Sequence, residues 1–285
     1  MAAGRALVLG GGGVAGIAWI TGLLTGLAEA GQDATGADVL IGTSAGATVA
    51  AQLGSALPLE VLYARQVDPA LQSTEIKADI DLEKFGAELA PYLAAGGGAA
   101  PEEALRQLGA FALAAQTVPE ADRRAVIASR LPSHDWPARD LRLVAVNCQT
   151  GVTEVFTVAS GIGLVDAVAA SCAVPGIWPP VTIGGYRYMD GGVRSSDNAD
   201  LAAGAARIVV ISPLGMDSPI PTPLPLGEVV AKLRGGGAEV TVIEPDDVSR
   251  TAIGANPLDP ATRVPAAEAG RAQGRAGLPG LGSLR

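Results

Sequence analysis

Histidine is almost absent: the chain has one, His134. A histidine-rich metal site is thereby excluded, as is any mechanism that needs two imidazoles. Cysteine is nearly as scarce. Cys148 and Cys172 form neither a CxxC nor a metal-ligand spacing, so they read as two buried thiols of a reducing interior. Charge is thin as well, at 17% of residues, with 20 basic side chains against 29 acidic ones and a formal net charge of −9. Without a dense Lys/Arg run there is no electrostatic footprint for tracking phosphates, and nucleic acid is excluded as a partner.

What the sequence has in quantity is apolar residues and glycine. A hydrophobic fraction of 48% over 285 residues suffices for a large core, and the length fits one large domain or two small ones. Gly 38 and Pro 20 imply many turns and close backbone approaches, short of low-complexity sequence. Residues 6–28 carry no charge and follow Arg5, the outline of a signal peptide or a membrane span. Four consecutive glycines, Gly10 to Gly13, with Gly16, Gly22 and Gly26 behind them, would break an apolar helix where it should be most regular. The stretch reads instead as a strand over 5–9, a glycine loop, and a helix over 15–30 closed by Gly31. With no leader, a cytoplasmic location is the default expectation.

A second unit of the same kind follows, with a strand over 37–41, a tight turn over 42–46 and an apolar helix over 47–53. Alternating strand and helix define the α/β class. Residues 58–131 change texture to charged and apolar residues at helical spacing, interrupted by Gly96, Gly97, Gly98 and Pro101, and read as a helical insertion. Strands resume over 141–147 and 153–158, then a helix over 163–170 and a hairpin over 181–189 turning on Gly184 and Gly185. Core strands are expected over 207–212 and 239–243. Beyond 245 the chain is rich in Pro, Gly, Ala and Arg, with one helix expected over 261–273 and a loose tail to 285.

The chemistry concentrates in three places. Gly42-Thr43-Ser44-Ala45-Gly46 is a G-x-S-x-G nucleophile elbow: a serine on a sharp strand-to-helix turn points clear of the sheet, beside the unpaired amides of a helix N-terminus. The partial positive charge there favours an alkoxide on Ser44. The run Gly11-Gly12-Gly13-Val14-Ala15-Gly16 fits the dinucleotide fingerprint, with Asp33 or Asp38 placed to meet a ribose. It fits equally a nest in which the amides of Gly11, Gly12 and Gly13, with that of Ala45, stabilise an oxyanion. The serine elbow on the next strand favours the acyl-transfer reading, because a dehydrogenase has no use for it.

A serine nucleophile needs a base. His134 sits in a polar turn ahead of Pro137, and no histidine follows Asp190 to complete the chain order of an α/β-hydrolase triad. Asp190-Gly191-Gly192 offers a carboxylate at the end of the hairpin. With a solution pKa of about 4, Asp190 would have to lie within hydrogen-bond reach of Ser44 in a dry pocket; alone, the tripeptide is an ordinary turn.

Assembled, these residues make the sequence resemble the patatin-like phospholipase family, lipid acyl hydrolases with a Ser–Asp dyad and no catalytic histidine. Four blocks match in order: the glycine loop over 11–16, the elbow over 42–46, the stretch Ala170-Ser171-Cys172-Ala173-Val174-Pro175 running on to Val181, and Asp190-Gly191-Gly192. The resemblance implies one domain over 1–285, a three-layer α/β/α sandwich with a mostly parallel central sheet and a helical insertion. It implies Ser44 as nucleophile, Asp190 as general base, and Gly11, Gly12, Gly13 and Ala45 as the oxyanion hole. No metal or cofactor is required, and the substrate would be an ester or phospholipid. The sequence departs from the family at Ala15, where Arg or Lys is common, so the loop lacks a charge worth about 1 kcal/mol near a helix N-terminus. A catalytically inactive patatin-like scaffold and a nucleotide-binding protein with Ser44 idle stay open beside the hydrolase. Membrane contact would fall to apolar residues of the helices over 59–93 and 105–113, whose apolar faces are more simply core.

Overall fold

The computed structural model describes residues 4–78, 101–218 and 222–277, together with 87, 92 and 220. Its frame is an eight-stranded sheet with the order β5-β6-β3-β2-β1-β7-β8, β4 pairing with β3 as well. The strands are β1 (Arg5–Leu9), β2 (Val39–Gly42), β3 (Asp140–Asn147), β4 (Thr153–Phe156), β5 (Val181–Ile183), β6 (Tyr186–Asp190), β7 (Arg207–Ile211) and β8 (Glu239–Ile243). Neighbours from β3 through β2, β1 and β7 to β8 are parallel. β4 and β6 run antiparallel to β3, and β5 antiparallel to β6.

Central strands are apolar on both faces because both are covered. In β1, Leu7 and Leu9 point into one buried cluster while Ala6 and Val8 point into another, the period of two expected of a strand. The first cluster gathers α1 (Gly13–Glu29), α2 (Ala45–Gly54), α6 (Leu164–Ser171) and α9 (Arg263–Arg275). The second is closed by α7 (Leu226–Gly235) through Leu226, Val229, Val230 and Leu233. The result is a three-layer α/β/α sandwich. α1 ends in a Schellman turn: Gly31, at φ 77, donates to the Ala28 carbonyl, and Gln32 donates to that of Leu27.

Of the insertion, the described parts are α3 (Leu59–Val67), α4 (Pro101–Ala114) and α5 (Glu120–Arg130). Pro101 opens α4 instead of interrupting a helix, at a position where a missing N–H goes unneeded. Gly96, Gly97 and Gly98 lie outside the described residues. α4 packs Leu105, Leu108 and Ala112 on Val146, Cys148 and Met189 at the β3–β6 end of the sheet.

After 245 the expected helix over 261–273 is present as α9, and a further helix that was not expected precedes it. α8 (Asp247–Ile253) is capped by the Asp246 carboxylate, which accepts from the Ser249 amide at 2.7 Å. α9 is a core element: Ala266 and Ala267 are fully buried, and Gly270 and Gly274 lie on the backbone of α1. A Cβ built on Gly22 or Gly26 of α1, or on Gly270 or Gly274 of α9, would collide with a backbone carbonyl of the other helix. The segment 245–277 is therefore not a tail, and 278–285 lies outside the described residues. Among the described residues, no helix is long and apolar enough to cross a membrane.

Candidate active site

The loops after β1 and β2 leave the carboxyl ends of adjacent parallel strands, the usual place for a site in a sheet of this kind. Ser44 stands on the second of them at φ 52, ψ −114, immediately before α2. A left-handed φ for a non-glycine residue stores about 1–3 kcal/mol of strain and needs a surrounding that over-determines it. That surrounding comes from several directions. A Cβ on Gly42 would stand 2.6 Å from the Ala47 Cα, and one on Gly46 would collide with the Leu9 carbonyl oxygen, so the elbow closes only with glycine at both positions. The Ser44 amide donates to the Ser171 hydroxyl at 3.0 Å, and the Cys172 thiol donates to the Ser44 carbonyl at 3.2 Å.

Ser171 and Cys172 belong to the stretch between α6 and the β5–β6 hairpin, and that stretch also positions the acid. The Ala173 carbonyl accepts the Asp190 amide at 2.9 Å. Gly191 lies flat on β3, where any Cβ would collide with the Val144 carbonyl, and the Gly192 amide donates to Asp190 Oδ1 at 2.7 Å. Asn198, in the left-handed region at φ 51, donates through Nδ2 to Thr43 Oγ1 at 3.0 Å and to the carbonyls of Gly191 and Ser195. One amide group thus ties the serine loop to the acid turn.

Asp190 is 4% exposed, and its Oδ2 has no hydrogen-bond partner among the described residues. Burial pushes its carboxyl up to about 7; the Ser44 hydroxyl, the Gly192 amide and the Arg123 guanidinium pull the other way and do not overcome it. A carboxyl poised near neutrality beside a serine hydroxyl is able to take its proton. Burial pushes the Cys172 thiol up to about 11, which leaves it a hydrogen-bonding group and not a rival nucleophile.

In the glycine loop the amides divide. The Gly10 amide donates to the Ile211 carbonyl, and that of Gly11 to the Ser196 carbonyl at 2.8 Å. Of the four expected oxyanion donors, Gly11 thus has its amide engaged, and that hydrogen bond docks the loop. The amides of Gly12, Gly13 and Ala45 meet no acceptor among the described residues. Gly13 and Ala45 open α1 and α2, so two helix N-termini face one cavity with Ser44. Ala15 is fully buried, its amide donating to the Pro257 carbonyl.

The other candidates lie elsewhere. His134 is exposed and hydrogen-bonds the Ala128 carbonyl through Nε2 at 3.0 Å. Asp38 pairs with Arg5, and Asp33 accepts from the Thr35 amide and hydroxyl, so both acids proposed for a ribose are engaged away from the glycine loop.

The site thus brings together a serine on an elbow, a buried carboxyl and free amides. The family model for the patatin-like phospholipases matches residues 7–203. The chain belongs to that family of lipid acyl hydrolases. A search of curated proteins found no match. Among solved structures, VipD from Legionella pneumophila is similar at 15% identity, with a TM-score of 0.45 over 95% of this chain and 66% of that one.

Proposed function

We propose that this protein is a serine hydrolase of lipid esters that works through an acyl-enzyme on Ser44, with Asp190 as general base. The observation that carries the reading is Ser44, held at φ 52 on its elbow, beside a buried Asp190 carboxyl that its hydroxyl acts on and that burial pushes up to about 7. Asp190 accepts the hydroxyl proton as Ser44 Oγ bonds to the ester carbonyl carbon, and the carbonyl electrons move onto oxygen. The amides of Gly12, Gly13 and Ala45 receive that oxyanion. When the tetrahedral adduct collapses, Asp190 returns the proton to the leaving alcohol and the acyl group stays on Ser44. Water then attacks the acyl-enzyme, Asp190 takes its proton, and Ser44 leaves protonated with the fatty acid released.

Ser171, Cys172 and Asn198 support this chemistry by fixing the backbones of the two reacting groups. We read residues 1–285 as one hydrolase unit acting on an ester or phospholipid. The test is hydrolysis of short-chain esters by wild type, Ser44→Ala and Asp190→Asn. Turnover by wild type with kcat lower by about 10⁴-fold in each variant is expected. Full activity in Asp190→Asn would remove Asp190 as the base.

A further inference from the structure

Arg123, on α5, has no part in the chemistry above, yet it is the least satisfied charge near Ser44. It is 6% exposed, and its Nε and Nη1 are buried with no hydrogen-bond partner among the described residues. A guanidinium taken out of water is strongly disfavoured unless an anion compensates it. Of the nearby carboxylates, Glu75 holds Arg130 at 2.6 Å and Arg263 at 2.5 Å, all of these side chains being buried, and Asp190 feels the Arg123 charge without a hydrogen bond to it. What Arg123 has is the face of Trp178, with its guanidinium carbon 3.8 Å from the ring centroid. That contact orients the group and leaves its charge standing. Burial, with Arg130 adding to it, pulls the Arg123 pKa down to about 9, so the group is cationic at neutral pH.

The charge stands in the wall of a cavity that also exposes the serine. Gly13, Ser44, Ala45, Glu75, Arg123 and Trp178 line a space of about 20 Å³, room for one water-sized group. A guanidinium with two unpaired donors, Ser44 and the free amides of Gly13 and Ala45 share that small volume. An oxygen bearing negative charge satisfies all of them.

We propose that Arg123 receives an anionic oxygen of the ester substrate, carried by a phosphate or carboxylate close to the scissile carbonyl, and so makes the site prefer anionic over neutral esters. The proposal rests on the hydrolase reading. A hydrogen bond to a charged group in such a site corresponds to about tenfold to a hundredfold in kcat/KM.

Two matched pairs test it: p-nitrophenyl butyrate against p-nitrophenyl hemisuccinate, with a carboxylate on the acyl side, and dibutyroylglycerol against its phosphate, with the charge on the alcohol side. Wild type should favour the anionic member of at least one pair, and the pair that shows it names the source of the charge. Arg123→Gln should bring that ratio close to one, chiefly through KM, and Arg123→Lys should restore part of it. Equal losses on neutral and anionic esters, or no preference in wild type, overturn the proposal. Inorganic phosphate gives a readout independent of turnover: it should raise the Tm of wild type and raise it less in Arg123→Gln, and the same melts show that the variant folds. If no ester is cleaved and Ser44 takes no fluorophosphonate, the hydrolase reading fails and the phosphate shift decides alone. A shift in wild type that Arg123→Gln loses keeps Arg123 as an anion receptor; no shift overturns it.

Discussion

The two flanks of α1 use glycine for opposite ends. At its N-terminus, Gly12 and Gly13 pass so close to Pro213 and the Pro257 carbonyl that a Cβ would collide, and their amides meet no acceptor among the described residues. Along its length, Gly22 and Gly26 meet Gly270 and Gly274 of α9, and there the missing side chains let backbone lie on backbone. Both are close approaches; one leaves amides free beside Ser44 and the other joins two helices. Glycine content is therefore not one property: on the proposed function the loop serves the chemistry and the seam the stability, and substitutions should separate the two.

The largest expected effect falls on the loop side. Ser44→Ala and Asp190→Asn should each lower kcat by about 10⁴-fold while chemical denaturation shows no loss of stability, since neither removes core packing. The reverse pattern belongs to the seam. Gly22→Ala or Gly270→Ala forces a methyl into a backbone carbonyl and should destabilise by about 1–3 kcal/mol in urea titration, with kcat per folded molecule unchanged. Loss of activity without loss of stability in the seam variants would break the comparison.

A pH experiment sharpens it. Asp190 has to be ionised to act as base, so kcat/KM should fall as pH drops below an apparent pKa near 7. Stability runs the other way. Because the folded pKa is raised above the unfolded value of 3.8, the contribution of Asp190 is fully present below that value and is lost as pH rises through about 7. Asp190→Asn should therefore be more stable than wild type at pH 8, on the order of 2 kcal/mol, and less pH-sensitive between pH 4 and 7. Part of the sensitivity should persist, because burial also raises Asp197 to about 7. The smallest effect is expected at exposed His134, where His134→Ala should leave stability within about 0.5 kcal/mol and activity near wild type.

Local features were legible in the sequence because their causes are local. β1 and β8 occupy 5–9 and 239–243 as their apolar runs indicate, and the elbow and the Asp190 turn are written in contiguous residues. α7 was legible and overlooked: Leu226, Val229, Val230 and Leu233 have helical spacing after Pro225. The capping Asp246 of α8 was a similar signal. What periodicity does not carry is pairing across the chain. The helix over 261–273 was legible, but its place in the core was not, because Gly270 and Gly274 acquire meaning only against the backbone of α1. Asn198 and Arg123 were missed, and the Ser171 role within its matched stretch was not legible, for the same reason, since each acts on partners brought to it by the sheet. Gly11 shows the converse, a local motif in which one amide is engaged by the distant Ser196 carbonyl.

The central claim is that Ser44 is activated by Asp190 and by no histidine. Fluorophosphonate labelling with peptide mapping, on wild type, Asp190→Asn and His134→Ala in parallel, tests it most directly. A single adduct on Ser44, present in wild type and His134→Ala and lost in Asp190→Asn, is the predicted result. Labelling lost only with His134, or absent from folded wild type, would contradict it.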